Sequence, residues 1–232
     1  MPVFNPKLSH LDLEQIKRSA GIAAKETIPE QLLGDACAQA LLLILPRASW
    51  NIYPYDQESN TILAPTPVRL PDESITRHLN GAAEVAVLAA TIGELLENQV
   101  SVLLLKGLNT LGLLLDAAGT VGIEEVCNKT AYIISETAAS YGYVAGRRFS
   151  PGHNDWDTRI QPDLLSIAEG SSIGIQLADN MMLIPHKSTI AIIGLYPNNL
   201  SLEIPTDHLG CDKSHQTECY ARKESKKNDT AI

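Results

Sequence analysis

Glu84-Val85-Ala86-Val87-Leu88-Ala89-Ala90-Thr91-Ile92-Gly93 is the stretch on which the fold turns. Glu84 to Ala90 is a compact apolar run of strand length, and Thr91-Ile92-Gly93 reads as a strand-to-helix junction capped by Thr91. Two helical stretches follow, roughly Ile92 to Leu105 and Leu111 to Ser140. The second is long and rich in alanine and other small residues, which suits close packing at the centre of a domain. On it Asp116 and Glu124 lie eight positions apart, slightly over two turns, and so share a face. Carboxylates are costly to bury unpartnered, so the pair calls for water, a cation or a donor-rich ligand. A solvated face with Glu125 and Asn128 beside it is the plainer alternative.

Upstream, Leu11, Leu13, Ile16 and Ala20 recur at near-helical spacing and Gly21 is a stop, giving a short amphipathic opening helix. Thr27-Ile28-Pro29-Glu30 combines a capping-box pattern with proline just inside a helix start. The helix it opens turns Leu32, Leu33, Ala36, Ala40, Leu41 and Ile44 inward and ends near Pro46. Cys37 on that helix reads as a small buried hydrophobe. Trp50 to Tyr55 and Thr61 to Leu70 look extended, the second broken by Pro65 and Pro67, and fit edge strands or a hairpin on the rim. Ser74 to Leu79 forms a short helix stopped by Gly81.

Downstream comes Arg147-Arg148-Phe149-Ser150-Pro151-Gly152-His153-Asn154-Asp155-Trp156. Pro151 presets φ and Gly152 tolerates φ > 0, so the pair marks a tight turn that exposes backbone. Arg148 before it offers a planar fork of donors to a carboxylate. Residues alone leave two readings open, a surface turn and a carboxylate clamp. Gln161 to Glu169 is a short helix. Ile173 to Leu177, Met181 to Pro185 and Ser188 to Tyr196 read as three strands of a meander.

The 232 residues suffice for a sizeable core, and 44% apolar content with near-zero mean hydropathy describes an ordinary soluble globular protein. A net charge of −9 argues against general binding to nucleic acid or anionic membrane, both of which favour a basic face. Lys106, Asn109, Asp116 and Glu124 interrupt the most apolar region, Val100 to Val126, so it is a buried helix and not a membrane span. Four scattered cysteines make no disulfide scaffold. No signal peptide is visible, and a cytoplasmic protein is expected.

Taken together, these segments resemble the activation (reactivation) domain of cobalamin-dependent methionine synthase, and in particular its small free-standing relatives. The resemblance covers roughly residues 73 to 222. The family's Arg-x-x-Pro-Gly-Tyr signature appears as Arg148-Phe149-Ser150-Pro151-Gly152-His153. Ala90-Thr91-Ile92-Gly93 is similar to its Ala-Thr-Leu-Gly junction. Asp116 to Glu124 resembles the central helix, which carries an acidic ligand contact where Glu124 falls. Gly174 to Leu177 and Met181 to Ser188 resemble its second strand block.

The resemblance implies an α+β fold, a curved antiparallel sheet with helices packed on one side. It divides the chain into a lead (1–72), an S-adenosylmethionine (AdoMet)-binding core (73–206) and a polar cysteine-containing tail (207–232). The implied function is reactivation. An electron donor reduces oxidised cobalamin carried by a partner, a methionine synthase or other corrinoid protein, and AdoMet methylates it. Arg148 would pair with the carboxylate of AdoMet, Glu124 would face its ammonium or sulfonium, the backbone around Ser150, Pro151 and Gly152 would hold adenine and ribose, and His153 would also belong to the binding site. No residue is expected to act as acid or base, because the cobalt is the nucleophile. At most, then, the chain is the reactivation component of a methyltransferase.

Two features depart from the family. His153 replaces the signature tyrosine, and the large domains for homocysteine, folate and cobalamin are absent from this chain. Many relatives end in Cys-x-x-Cys-x-x-x-x-Cys-x-x-Arg. Here Cys211, Cys219 and Arg222 remain but Ser214 stands at the middle cysteine, so no metal site is assigned, although His208 and His215 lie close enough to complete a Cys2His2 set. The alternative function is a non-catalytic module that docks on a cobalamin-binding protein without using AdoMet. A free-standing AdoMet methyltransferase is disfavoured by the absence of a glycine-rich Rossmann fingerprint.

Overall fold

The protein is described by a computed structural model that covers residues 3–22, 28–153 and 155–198. The run from Glu84 becomes β5 (Glu84–Thr91), buried at seven of its eight positions in the middle of an antiparallel sheet. Before it come β1 (Val3–Phe4), α1 (Leu13–Ser19), α2 (Glu30–Leu43), β2 (Arg47–Asp56), β3 (Thr61–Ile62), β4 (Val68–Arg69) and α3 (Glu73–His78). After it come α4 (Leu95–Leu105), α5 (Asn109–Ser140), β6 (Tyr143–Phe149), α6 (Gln161–Ile167), β7 (Gln176–Leu177), β8 (Leu183–Ile184) and β9 (Ser188–Pro197). The sheet order is β4-β3-β2-β5-β9-β6, with β1 added to β2, and β7 and β8 form a separate two-stranded hairpin.

Side chains alternate across a strand, so β5 serves two cores at once. Ala86, Leu88 and Ala90 face a layer built from α1, α2, α4 and α5, while Val85, Val87 and Ala89 face α3, α6 and the loops around them. Helices therefore cover both faces, which corrects the expected one-sided packing. A strand buried on both sides has no polar face to display, and that is why β5 reads as an unbroken apolar run.

The long helix runs Asn109–Ser140, close to its expected bounds, and its small residues are points of near contact. A Cβ at Gly119 would lie 2.7 Å from Leu96 Cδ2, and one at Gly122 would lie 2.7 Å from Ile44 Cδ1. Glycine at these positions lets α5 sit close against α4 and the end of α2. The opening helix is capped by Asp12, whose carboxylate accepts from the N–H groups of Glu14 and Gln15 at 2.9 and 3.2 Å. At α2, Pro29 occupies the cap position and the helix starts at Glu30; Thr27, the other half of the expected capping box, lies outside the described residues.

Two further expectations are corrected. β2 is not on the rim, since it pairs with β5 from Arg47↔Thr91 to Pro54↔Glu84 and carries β1 and β3 on its other side. Only the proline-broken stretch after it is peripheral, as the short β3 and β4. The three late strands are no meander either. β9 inserts between β5 and β6, while Gly170–Ile173 is a 3-10 turn. Length explains the difference: β9 has ten residues, buried from Ile190 to Tyr196, and takes a central place that two-residue β7 and β8 cannot fill.

Candidate functional site

Among the described residues β6 is the last strand of the sheet and pairs only with β9, and its register shifts between Ala145 and Arg148. Gly146 lies inside this irregular step, where a Cβ would stand 2.8 Å from the Tyr196 ring. Past the shift, alternation turns Arg148 toward α5, while Phe149 is buried in the core on the opposite face. Arg148 Nη2 donates to Glu124 Oε1 on α5, so the structure brings together the two charged residues singled out in the sequence. The arginine side chain is 19% exposed and the glutamate 53%, so the pair sits at a boundary, with the cation sunk and the anion wet.

Burial opposes the charge on Arg148, but its acidic neighbours Cys127 and Glu124 outweigh this and raise its pKa. Cys127 lies one turn beyond Glu124 on α5, and burial pushes its thiol up to about 12. A thiol in that state is neutral near pH 7, so Glu124 is the working counter-charge. Among the described residues the guanidinium donates to Glu124 alone, although it carries five N–H donors. The fork has capacity to spare.

Asp116, two turns back along α5, is satisfied differently. Lys187 Nζ reaches Asp116 Oδ1 and Oδ2 at 2.9 and 3.0 Å and Thr120 Oγ1 at 2.8 Å. The cation that the Asp116/Glu124 face required is thus supplied twice by the protein itself, from Lys187 before β9 and from Arg148 in β6. The sequence reading missed Lys187, and no local pattern marks it, since it meets α5 only through the placement of β9.

The turn after β6 is held by its own backbone. Gly152 at φ +88° donates its N–H to Trp156 O at 2.8 Å, Trp156 N–H donates to His153 O at 3.1 Å, and His153 N–H donates to Ser150 O at 3.2 Å. His153 Nδ1 also lies 3.1 Å from Ser150 O, which draws its ring back over the turn. Ser150 and Pro151 are half-buried, and Gly152 and His153 are exposed. Beneath them Phe149 stacks on His78 (centroids 4.7 Å apart) and on Trp156 (5.6 Å), with His153 tilted against it at 6.0 Å. Glu124 and Arg148 are thus in contact, and Ser150 to His153 follow directly after β6 in the chain. Cys211, Cys219, His208, His215 and Asn154 lie outside the described residues.

Two clefts lie elsewhere. One of about 490 Å³ opens between Phe4–Lys7 and the Glu125–Ile133 part of α5, and one of about 430 Å³ is lined by Ile52, Glu84, Tyr141 and Tyr143. Among the described residues no group of three or more His, Cys, Asp or Glu side chains is placed to hold a metal ion, and no helix is long and apolar enough to cross a membrane.

No protein-family model matches the chain, and no curated protein matches it. Among solved structures, the fold is similar to that in the crystal structure of the MetH reactivation domain bound to AdoHcy. The TM-score is 0.60, with 11% identity over 87% of this chain and 81% of that one. The expected α+β class, an antiparallel sheet with helices packed against it, is therefore established, and the likeness is one of fold.

Proposed function

We propose that this protein binds AdoMet on the strip from Glu124 to His153 and supports reductive methylation of cobalamin carried by a separate methionine synthase or other corrinoid methyltransferase. The observation that carries the proposal is the Arg148–Glu124 pair beside the Ser150–Gly152 turn, on a fold similar to that of a domain crystallised with AdoHcy. The methionine end of AdoMet carries a carboxylate and an ammonium. A half-committed guanidinium next to a half-exposed carboxylate is complementary to that pair of charges. Gly152 and Ser150, already fixed by the Trp156 and His153 bonds, would present a rigid edge to ribose and adenine at little ordering cost. AdoMet supplies a methyl group when bound. The residues of this chain bind and orient it and need move no proton.

On this proposal residues 73–206 form the ligand-binding core, 1–72 pack on it and 207–232 form a cysteine-containing tail. The chain would work in the cytoplasm with a corrinoid partner and an electron donor. Calorimetric titration with AdoMet, on the protein alone and mixed with a cobalamin protein, tests it. One site weakened by Arg148→Ala is expected, and absence of binding in both conditions would overturn the proposal.

A second function, docking on a cobalamin protein without AdoMet, is favoured by one observation: Arg148 and Glu124 already pair with each other. Capture of a corrinoid protein with the same affinity at zero and saturating AdoMet would select it.

A further inference from the structure

His78 lies at the end of α3, 69 residues before Arg147 in sequence, and is in none of the motifs discussed above. Its Nε2 stands 2.9 Å from the carbonyl oxygen of Arg147. A carbonyl only accepts, so Nε2 carries the hydrogen and donates it. The ring stacks on Phe149 with an interplanar angle of 24°, and the backbone carbonyl of His78 accepts from Tyr196 Oη at 2.7 Å. One residue therefore touches β6 immediately before and immediately after Arg148, and is itself tied to β9.

We infer that His78 is a positioning residue for the Arg148 strip, acting from the face of the sheet opposite α5. This inference rests on the ligand site proposed above. The Arg147–Arg148 peptide is planar, so fixing its carbonyl also fixes the direction in which Cα of Arg148 leaves it. The strand needs that restraint because its register with β9 breaks between Ala145 and Arg148, leaving the ladder unable to set the orientation alone. Stacking on Phe149 anchors the following residue, and Phe149 in turn stacks on Trp156, whose carbonyl closes the Gly152 turn. The imidazole thus connects the Arg147–Arg148 peptide and the turn through contiguous contacts. Burial, with the charge of Arg147, pulls the His78 pKa below its usual value, although the bond to the Arg147 carbonyl opposes this. The ring is accordingly a neutral donor near pH 7.

The test separates donor from ring. His78→Phe keeps an aromatic stack and removes the donor, while His78→Gln restores an N–H at a similar reach. Hydrogen exchange at the Gly152 and Trp156 amides and AdoMet affinity are measured for both in the full chain. In His78→Phe, exchange at those two amides should rise about tenfold and AdoMet affinity should fall about tenfold, the worth of one hydrogen bond. Val87 and Ile192 amides in the core should stay unchanged, and His78→Gln should bring both readouts back to within about threefold of wild type. Turn exchange within about twofold of wild type, equal acceleration at Val87 and Ile192, or no rescue by glutamine would each overturn the inference. If wild type binds no AdoMet, the ligand proposal falls and the exchange comparison still decides the role of His78. Should His78→Phe not fold, His78→Asn, one bond too short to reach Arg147 O, replaces it.

Discussion

Replacing Arg148 by alanine is the most direct perturbation of the candidate site. The Arg148 side chain is 19% exposed and donates to Glu124 alone among the described residues, and on the proposed function its remaining donors would meet the ligand carboxylate. A charge-assisted hydrogen bond contributes about 1.5–3 kcal/mol, so Arg148→Ala should weaken AdoMet binding by about 10- to 100-fold. Folding should suffer much less. Glu124 is half-exposed and solvent screens the pair, so its loss is worth at most about 1 kcal/mol, a fall in Tm of about 2–4 °C. Glu124→Gln distinguishes how the ligand engages the arginine. If the carboxylate of AdoMet uses the spare donors, glutamine removes a contact to the ammonium and weakens binding by no more than about fivefold. If the ligand had to displace Glu124, the same change would tighten binding. Calorimetry over a salt series provides the affinities, and thermal unfolding provides the control. An Arg148→Ala protein that binds AdoMet within about twofold of wild type at unchanged Tm would refute the reasoning.

Gly122→Val drives a branched side chain against Ile44, whose Cδ1 would lie 2.7 Å from the new Cβ. Overpacking of about 2 kcal/mol should lower Tm by about 4–8 °C, read by calorimetry, and an unchanged Tm would show that α2 yields freely. Alkaline pH should destabilise the protein through Cys127. Unfolded, its thiol loses the proton near 8.5, whereas the folded thiol holds it to about 12. The unfolded state therefore binds fewer protons in that window, and stability falls by about 1.4 kcal/mol per pH unit as pH rises. Tyr196, also pushed up to about 12 by burial, adds to the fall only above its ordinary value near 10. Denaturant melts from pH 8 to 11 should show Cys127→Ala losing stability later, and identical profiles would exclude the thiol as the cause. His153→Tyr places a larger ring and a phenol over the same turn, as in the reactivation-domain signature that the stretch resembles, and on the proposed function should tighten AdoMet binding by a few-fold, about 0.5–1 kcal/mol. Equal affinity would mean that residue 153 does not touch the ligand.

The parts of the fold legible in the sequence are those where local pattern and tertiary role coincide. The run from Glu84 to Thr91 is apolar because both its faces are buried, and the glycines of α5 are there because neighbouring helices approach closely. Long-range pairing was not legible. Nothing within Trp50 to Tyr55 shows that it lies between β5 and the β1 and β3 strands, and nothing in Ser188 to Tyr196 shows that it separates β5 from β6. Both placements are set by partners far off in sequence. The same limit applies to the site. Arg148, Glu124 and the Pro151–Gly152 turn stood out as residue types, whereas Lys187 and His78 gain their roles only from strand order, 71 and 69 residues from the groups they touch.

The two cations along α5 are used differently, and on the proposed function this is why the ligand would take one end of the polar stripe and not the other. Lys187 is 17% exposed and spends its ammonium on two oxygens of Asp116 and the hydroxyl of Thr120, which uses its three donors. That pair is closed, and it holds the segment before β9 against the helix. Arg148 is buried to a similar degree but commits one donor of five to a carboxylate that is more than half in water. Burying a guanidinium with unused donors is unfavourable unless water or a ligand completes them. Beside it the chain makes a Pro-Gly turn whose amides are already bonded and whose base is a stack of three rings. On the proposed function, unspent donors and a wet carboxylate, with a rigid turn following in the chain, are what a zwitterionic ligand would use. They occur together at Arg148 and not at Lys187.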